Sequence, residues 1–160
     1  RGLGDVYKRQ VEDFEKIYGA EKLHNEDIKH KILVIKINKL YRRNMPAAEL
    51  YDSVRGLWRA SINNVQNVEY VFGVYNSLIV AVYKPTQWYR CKDKPEKRPR
   101  QDEILTSQTG NRVFFVDKNF ELGLPLDDNE AFYYGKSIAG LKLNQSAQNP
   151  ITYLNPKCSS

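Results

Sequence analysis

Two strand-like runs stand back to back between Tyr70 and Trp88, and they constrain the fold more than any other stretch of the chain. Residues 70–75 alternate along an extended pattern, and residues 78–83 are rich in β-branched and aromatic side chains, which favour strands. The step Asn76-Ser77 between them can form a tight two-residue turn. The pattern predicts a β-hairpin that closes at Asn76 and lies at the centre of a sheet.

Further strands and one clear helix surround this hairpin. The β-branched run ILVIKIN predicts a buried strand over residues 32–38. Pro46 suits the first turn of a helix, because that turn leaves its N–H groups unpaired and proline has none to lose. Apolar side chains then recur on one face through Trp58, about four turns in all, while Arg55 and Arg59 fall on another face. Residues 112–116 and 151–154 predict two more short strands. The order indicates an α+β fold with a mainly antiparallel sheet and flanking helices.

The chain of 160 residues is long enough for one domain, which we place at residues 32–155. Residues 11–23 predict a short amphipathic helix, and a charged linker then runs to Lys31. The chain opens without Met, and residues 1–10 look like a translated sequencing adapter. We leave this tail out of the fold and expect part of the natural N-terminus to be missing.

The formal net charge of +6 is unevenly placed. Between Lys84 and Arg100, seven basic residues stand against two acids, a local excess of +5. Such a patch attracts polyanions, of which nucleic acid is the commonest in a cell. We expect a mobile basic loop over residues 90–110 that follows a phosphate backbone. The alternative is an ordinary solvated loop broken by prolines.

Cysteine usage and hydropathy bear on the compartment. Cys91 and Cys158 lie far apart in polar stretches, which is typical of ordinary thiols in a reducing environment. No apolar run approaches the ~20 residues that span a bilayer, and the chain does not open with a signal peptide. These features predict a cytoplasmic protein without a membrane partner. They do not determine its oligomeric state.

Catalytic and cofactor signatures are not complete in this sequence. His24 and His30 share one charged run far from either cysteine, so no metal-ligand cluster is apparent. Gly135-Lys136-Ser137 ends like a phosphate-binding loop, but Glu130 stands where the first glycine of that motif belongs. No serine or cysteine is placed beside a histidine by its position in the sequence. We therefore expect no cofactor and no catalytic residue in this chain.

Aromatic and cationic side chains form the remaining candidate site. Single-stranded or flipped bases stack on Trp and Tyr, at ~1 to 3 kcal/mol per base, while Arg and Lys contact phosphates. The alternative for each tryptophan is core packing. The candidates are Tyr41, Arg42, Arg55, Trp58, Arg59, Tyr83, Trp88 and Tyr89.

Several segments resemble a bacterial domain family whose members occur alone or after a nuclease domain of the GIY-YIG type. Those segments are IKIN, ELYDSVRGLWR, VYNSLIVAVYKPTQW, RVFFV, YGKS and QNPITYLN, within residues 32–155. The succession of strand, helix ending in Trp and hairpin ending in Trp is also similar, more loosely, to PUA-like modules of the EVE, ASCH and YTH kind. That second resemblance implies a small curved sheet with an aromatic pocket for a modified or flipped base.

The resemblance implies roles for individual residues. Trp58 and Trp88 become the walls of the base pocket, and Asn38 hydrogen-bonds the base edge. We therefore expect a non-catalytic nucleic-acid-binding module, for DNA or RNA. The alternatives are the targeting part of a GIY-YIG-type nuclease and a structural or protein-interaction domain. The predicted ligand-binding residues are Asn38, Tyr41, Trp58, Tyr83 and Trp88, and the predicted backbone contacts are Arg42, Arg55, Arg59, Lys84, Arg90 and Lys136.

Overall fold

A four-stranded sheet and a separate two-stranded sheet make up most of the regular structure. The computed structural model describes residues 21–100, 104–141 and 151–155. The larger sheet has the strand order β3-β2-β1-β6, and β4 pairs with β5 in the smaller one. The strands are β1 (Ile32–Lys36), β2 (Tyr70–Tyr75), β3 (Leu78–Tyr83), β4 (Gln87–Arg90), β5 (Val113–Val116) and β6 (Ile151–Leu154). The helices are α1 (Ala47–Arg55), α2 (Ile62–Val65), α3 (Lys118–Glu121) and α4 (Asp128–Tyr133), and three short 3-10 turns span Asn25–Asp27, Pro95–Lys97 and Thr109–Asn111.

The α+β prediction with a mainly antiparallel sheet is confirmed. β2 pairs with β3, β1 with β6 and β4 with β5, all antiparallel. Only β1 and β2 run parallel among the named strands, and α1 and α2 lie in the connection between them. The hairpin closes at Asn76 and Ser77 as predicted, but β3 is an edge strand and β2 is the central member of that pair.

The larger sheet is covered on both faces. One face carries Leu33, Ile35 and Val71 and packs under α1 and the smaller sheet; we call this the first core. The other face carries Ile32, Val34 and Phe72 and forms the second core. Alternate side chains of one strand point to opposite faces, so β1 supplies both cores.

Residues 21–31 pack on the domain, although the sequence indicated the end of a helix at residues 21–23 and a charged linker at residues 24–31. Leu23 and Ile28 are buried in the second core. Leu23 N–H also donates to the carbonyl of Ser137 at 2.8 Å, and Ser137 N–H donates to the carbonyl of Glu21 at 2.8 Å. Residues 21–23 are not helical, and the rest of the helix predicted over residues 11–23 lies outside the described residues, as do the adapter-like residues 1–10.

The segment around Ser137 also closes the free edge of β3. Ile79 N–H donates to the carbonyl of Lys136 at 2.9 Å, and Gly135 N–H donates to the carbonyl of Ile79 at 3.0 Å. Leu78 forms an isolated bridge with Ser137. Residues 135–137 therefore lie between the N-terminal segment and the hairpin and pair with both.

Helix α1 ends earlier than the sequence predicted. It stops at Arg55, so Trp58 and Arg59 follow the helix instead of extending it. A Cβ on Gly56 would lie 2.5 Å from Cβ of Phe114, closer than two such atoms can approach. Glycine at this position therefore allows the end of the helix to pack directly on β5.

Within the described residues, no helix is long and apolar enough to cross a membrane.

We predict that Gly56→Ala destabilises the protein by about 1–3 kcal/mol, the usual cost of inserting a methyl group into a packed core. The urea midpoint of the variant measures this. Gly110→Ala is the matched control, because its added Cβ would meet only Cβ of Lys92, at 3.4 Å. Equal midpoints for the two variants would contradict the close packing of Gly56 on Phe114.

Candidate nucleic-acid interface

Two of the predicted ligand-binding aromatics are core residues. Tyr83 is fully buried and Trp88 is 4% exposed, and both belong to the first core. Tyr83 packs on Tyr51, and Trp88 on Phe115 with a centroid distance of 5.1 Å. Trp88 therefore does not form the wall of an open pocket, and the prediction that both indole rings face one cavity is wrong for the described part of the chain. The large apolar area of the indole ring explains why Trp88 is buried, because burying such a ring stabilises a core strongly.

Trp58 is partly exposed, but its ring is anchored to the end of α1. Its Nε1 donates to the carbonyl of Val54 at 2.8 Å, and its ring packs against the first core. Its backbone exchanges two hydrogen bonds with Val113, each 2.9 Å long, and so joins the end of α1 to β5.

Asn38 and Tyr41 lie near the end of β1. The Asn38 carboxamide oxygen accepts a hydrogen bond from Asn76 N–H at 3.0 Å, which ties β1 to the hairpin turn. The Tyr41 ring packs on the Tyr75 ring with a centroid distance of 4.8 Å. Neither residue is in the smaller sheet that contains Trp88.

Arg55 and Lys136 are occupied by contacts inside the fold. Arg55 is 7% exposed, and its Nη1 and Nη2 donate to the carbonyl of Lys97 at 3.0 and 2.7 Å. Its guanidinium also lies 5.1 Å from the centroid of the Tyr51 ring. Lys136 Nζ donates to the carbonyl of Phe132, at the end of α4. The structure thus places these two predicted backbone contacts in structural roles.

Three other predicted backbone contacts are exposed but form ion pairs. Arg42 makes two hydrogen bonds to Glu49, and these lower the pKa of the Glu49 carboxyl. Arg90 Nε lies 3.2 Å from Asp93 Oδ2. Lys84 Nζ lies 3.9 Å from Oδ2 of Asp127, the residue that caps the N-terminus of α4.

Arg59 is different from the other predicted cations. It is exposed and forms no ion pair with any described carboxylate. It lines an open cleft of about 430 Å³ together with Ala60, Gln108, Asn111 and Arg112. Arg112 also pairs with no carboxylate in the part of the chain that the structure describes. We call this the Arg59–Arg112 cleft.

Backbone pairing brings the two arginines together. Trp58 and Val113 form an antiparallel bridge, so the residue after Trp58 and the residue before Val113 are neighbours across the two segments. These residues are Arg59 and Arg112. On the other side of Arg112, Cys91 N–H donates to its carbonyl at 2.8 Å, and Lys92 N–H donates to the carbonyl of Gly110 at 2.9 Å. The first residues of the basic loop therefore run beside the cleft.

The cleft presents cations and amides without a carboxylate among its described lining residues. Like charges on neighbouring strands destabilise the pair unless a counter-ion is present. The guanidinium group has a planar set of donors that matches phosphate oxygens. The arrangement is therefore suited to bind an anion.

The neighbouring thiol is not an activated nucleophile. Cys91 is fully buried beside Leu57 and Phe114. Burial raises the pKa of its thiol, and the charge of Arg98 opposes that shift only in part. His30 instead contacts Tyr133, with Nδ1 3.1 Å from the phenol oxygen. Over the described ranges, no group of three or more His, Cys, Asp or Glu side chains could hold a metal ion.

No family model matches the chain, and it has no match among curated proteins or solved structures. The cleft is therefore interpreted from its own geometry.

We predict that the two tryptophans differ in their access to solvent. In Trp58→Phe, the remaining emission comes from buried Trp88 and resists quenching by acrylamide. In Trp88→Phe, it comes from partly exposed Trp58 and is quenched more strongly. Stern–Volmer slopes under native conditions measure the difference, and equal slopes would contradict the burial of Trp88.

We also predict opposite outcomes for two arginines four positions apart. Arg55→Met destabilises the protein by about 1.5–3 kcal/mol, because the carbonyl of Lys97 loses the charged donor that now binds it. Arg59→Met changes stability by less than about 0.5 kcal/mol, since that side chain is exposed. Urea unfolding of both variants tests this, and a larger loss for Arg59→Met would refute the assigned roles.

Proposed function

We propose that this protein is a non-catalytic nucleic-acid-binding module that contacts the phosphate backbone through the Arg59–Arg112 cleft. The observation that carries the proposal is the juxtaposition of exposed Arg59 and partly buried Arg112, neither of which has a described carboxylate partner. An anion that enters the cleft would relieve their mutual repulsion. A polyanion fits best, because the exposed basic side chains of the adjoining loop extend the positive surface.

The basic loop contributes through side chains that remain on the surface. Lys92, Lys94 and Lys97 are exposed, and among the described residues none of them forms an ion pair. By contrast, Arg98 is 6% exposed and donates to the carbonyl of Arg100 at 3.0 Å. Only part of the local charge excess is therefore free to meet a ligand.

The resemblances noted above support a nucleic-acid partner, and we keep them within this proposal. The observed succession of β1, α1 and the β2–β3 hairpin supports a PUA-like arrangement. Attachment to a GIY-YIG-type nuclease domain would also bring the cleft to nucleic acid. The burial of Trp88 removes the two-tryptophan base pocket from the proposal, so recognition relies on phosphate contacts.

A structural or protein-interaction domain is the competing interpretation. A buried Trp88 agrees with it, since core packing is what that interpretation requires. That interpretation does not explain why Arg59 and Arg112 lie side by side, because a purely structural surface gains no stability from adjacent like charges.

We predict that Arg59→Ala/Arg112→Ala weakens binding to labelled oligonucleotides roughly tenfold at low salt, a loss of about 1.4 kcal/mol. The slope of log affinity against log salt should fall by about 1.8 for duplex DNA and about 1.4 for single strands, because two phosphate contacts are lost. Fluorescence anisotropy across a salt series measures both quantities.

The matched control is Arg42→Ala/Arg90→Ala, which removes the same formal charge from two arginines already paired with Glu49 and Asp93. It should change affinity and slope less than the cleft variant. Failure to bind either kind of oligonucleotide at low salt would reject the function. Equal effects of the two double variants would reject the cleft as the site.

A further inference from the structure

A second cleft, of about 300 Å³, opens where β1 ends beside the turn of the β2–β3 hairpin. Its apolar floor includes Val74 and Ile138, which belong to the second core. The Arg59–Arg112 cleft instead adjoins the first core, because its two arginines are next to Trp58 and Val113, which pack there. The second cleft is therefore separate from the proposed nucleic-acid site. The polar residues that line this cleft are Lys36, Asn38, Asn76 and Ser77.

Lys36 interrupts a row of core positions. Along β1, Ile32 and Val34 point into the second core, and Lys36 occupies the next position on the same face, opposite Val74. Its side chain is partly buried and pairs with no carboxylate in the described part of the chain. An anion in this cleft would supply the opposite charge that Lys36 lacks among the described residues.

Asn38 supplies a second donor whose orientation is fixed. A backbone N–H can only donate, so the Asn38 atom that faces Asn76 N–H must be the carboxamide oxygen. The amino group of Asn38 is therefore the free end, and among the described residues it makes no hydrogen bond. This carboxamide is held in place before any ligand arrives.

The hairpin turn forms the opposite wall. Asn76 and Ser77 both have positive φ, at 48° and 66°, as a type I′ turn requires. Glycine adopts this conformation more readily than serine, yet Ser77 brings a hydroxyl to the cleft. Ser77 is held there by its carbonyl, which accepts from Ile138 N–H at 2.8 Å.

We propose that this cleft binds a small oxyanion, either a phosphate monoester or a carboxylate. Its described lining offers one ammonium, two carboxamides and one hydroxyl, with no acidic side chain to repel the ligand. Charged donors of this kind bind oxyanions more strongly than neutral ligands. The volume lies at the lower end of the range for small-molecule sites, which suits a ligand of sugar-phosphate size.

Isothermal titration at constant ionic strength tests the proposal, with ribose 5-phosphate and fumarate as the two probes and sodium chloride as the blank. We expect saturable binding of at least one probe. A phosphate monoester should bind more tightly as the pH rises through about 6, where its second proton leaves, whereas fumarate should not, because both of its carboxyl groups are ionised well below that pH. This pH dependence separates the two ligand classes.

Two variants connect the binding to the cleft. Lys36→Met keeps the length of the side chain but removes its charge, and should weaken binding at least about tenfold. Asn38→Asp keeps the oxygen that accepts from Asn76 N–H but replaces the donor group with negative charge, and should weaken binding at least as much. Lys39→Met is the control, because Lys39 is an exposed neighbour outside the lining.

The absence of saturable heat with both probes would overturn the proposal. So would binding that survives Lys36→Met, or binding lost equally in Lys39→Met. A probe whose binding is abolished by Arg59→Ala/Arg112→Ala and unaffected by Lys36→Met would also overturn it, because the anion would then occupy the other cleft.

Discussion

The burial of β1 and β2 on both faces is the constraint on which the rest of this fold depends. A strand that is apolar on both sides needs a covering layer above and another below. Here α1 and the smaller sheet form one layer, while Leu23, Tyr133 and Ile138 belong to the other. The cleft beside the hairpin turn is lined by Lys36 and Val74 of the central strands and by Ile138 of the second layer, so this candidate site depends on how those strands are covered.

Much of the local structure could be predicted from the sequence, because it is determined by short-range patterns. The hairpin at Asn76 and the strand at residues 113–116 are both local features. The parallel pairing of β1 with β2 was not predicted, since pairing depends on contacts far apart in the chain. The end of α1 also depends on such a contact, because Gly56 packs against Phe114.

The candidate site was predictable only in part, for a related reason. Arg59 was predicted as a backbone contact and does line an open cleft. Arg112 was missed, because a single basic residue before a strand carries no signal until Trp58 and Val113 pair. The position of a cation in the sequence does not show whether its charge is free to bind a ligand. Arg55 and Arg59 are four residues apart, yet Arg55 is buried and donates to the carbonyl of Lys97, whereas Arg59 is exposed.

The pairing of residues 135–137 with both the N-terminal segment and the hairpin has a consequence for synthesis of the chain. Until Ser137 leaves the ribosome, the outer edge of β3 has no partner, although its apolar strand is already complete. An open edge of this kind is a template for pairing with other chains. The nascent protein therefore carries an unpaired β3 edge during the interval between the emergence of Tyr83 and that of Ser137.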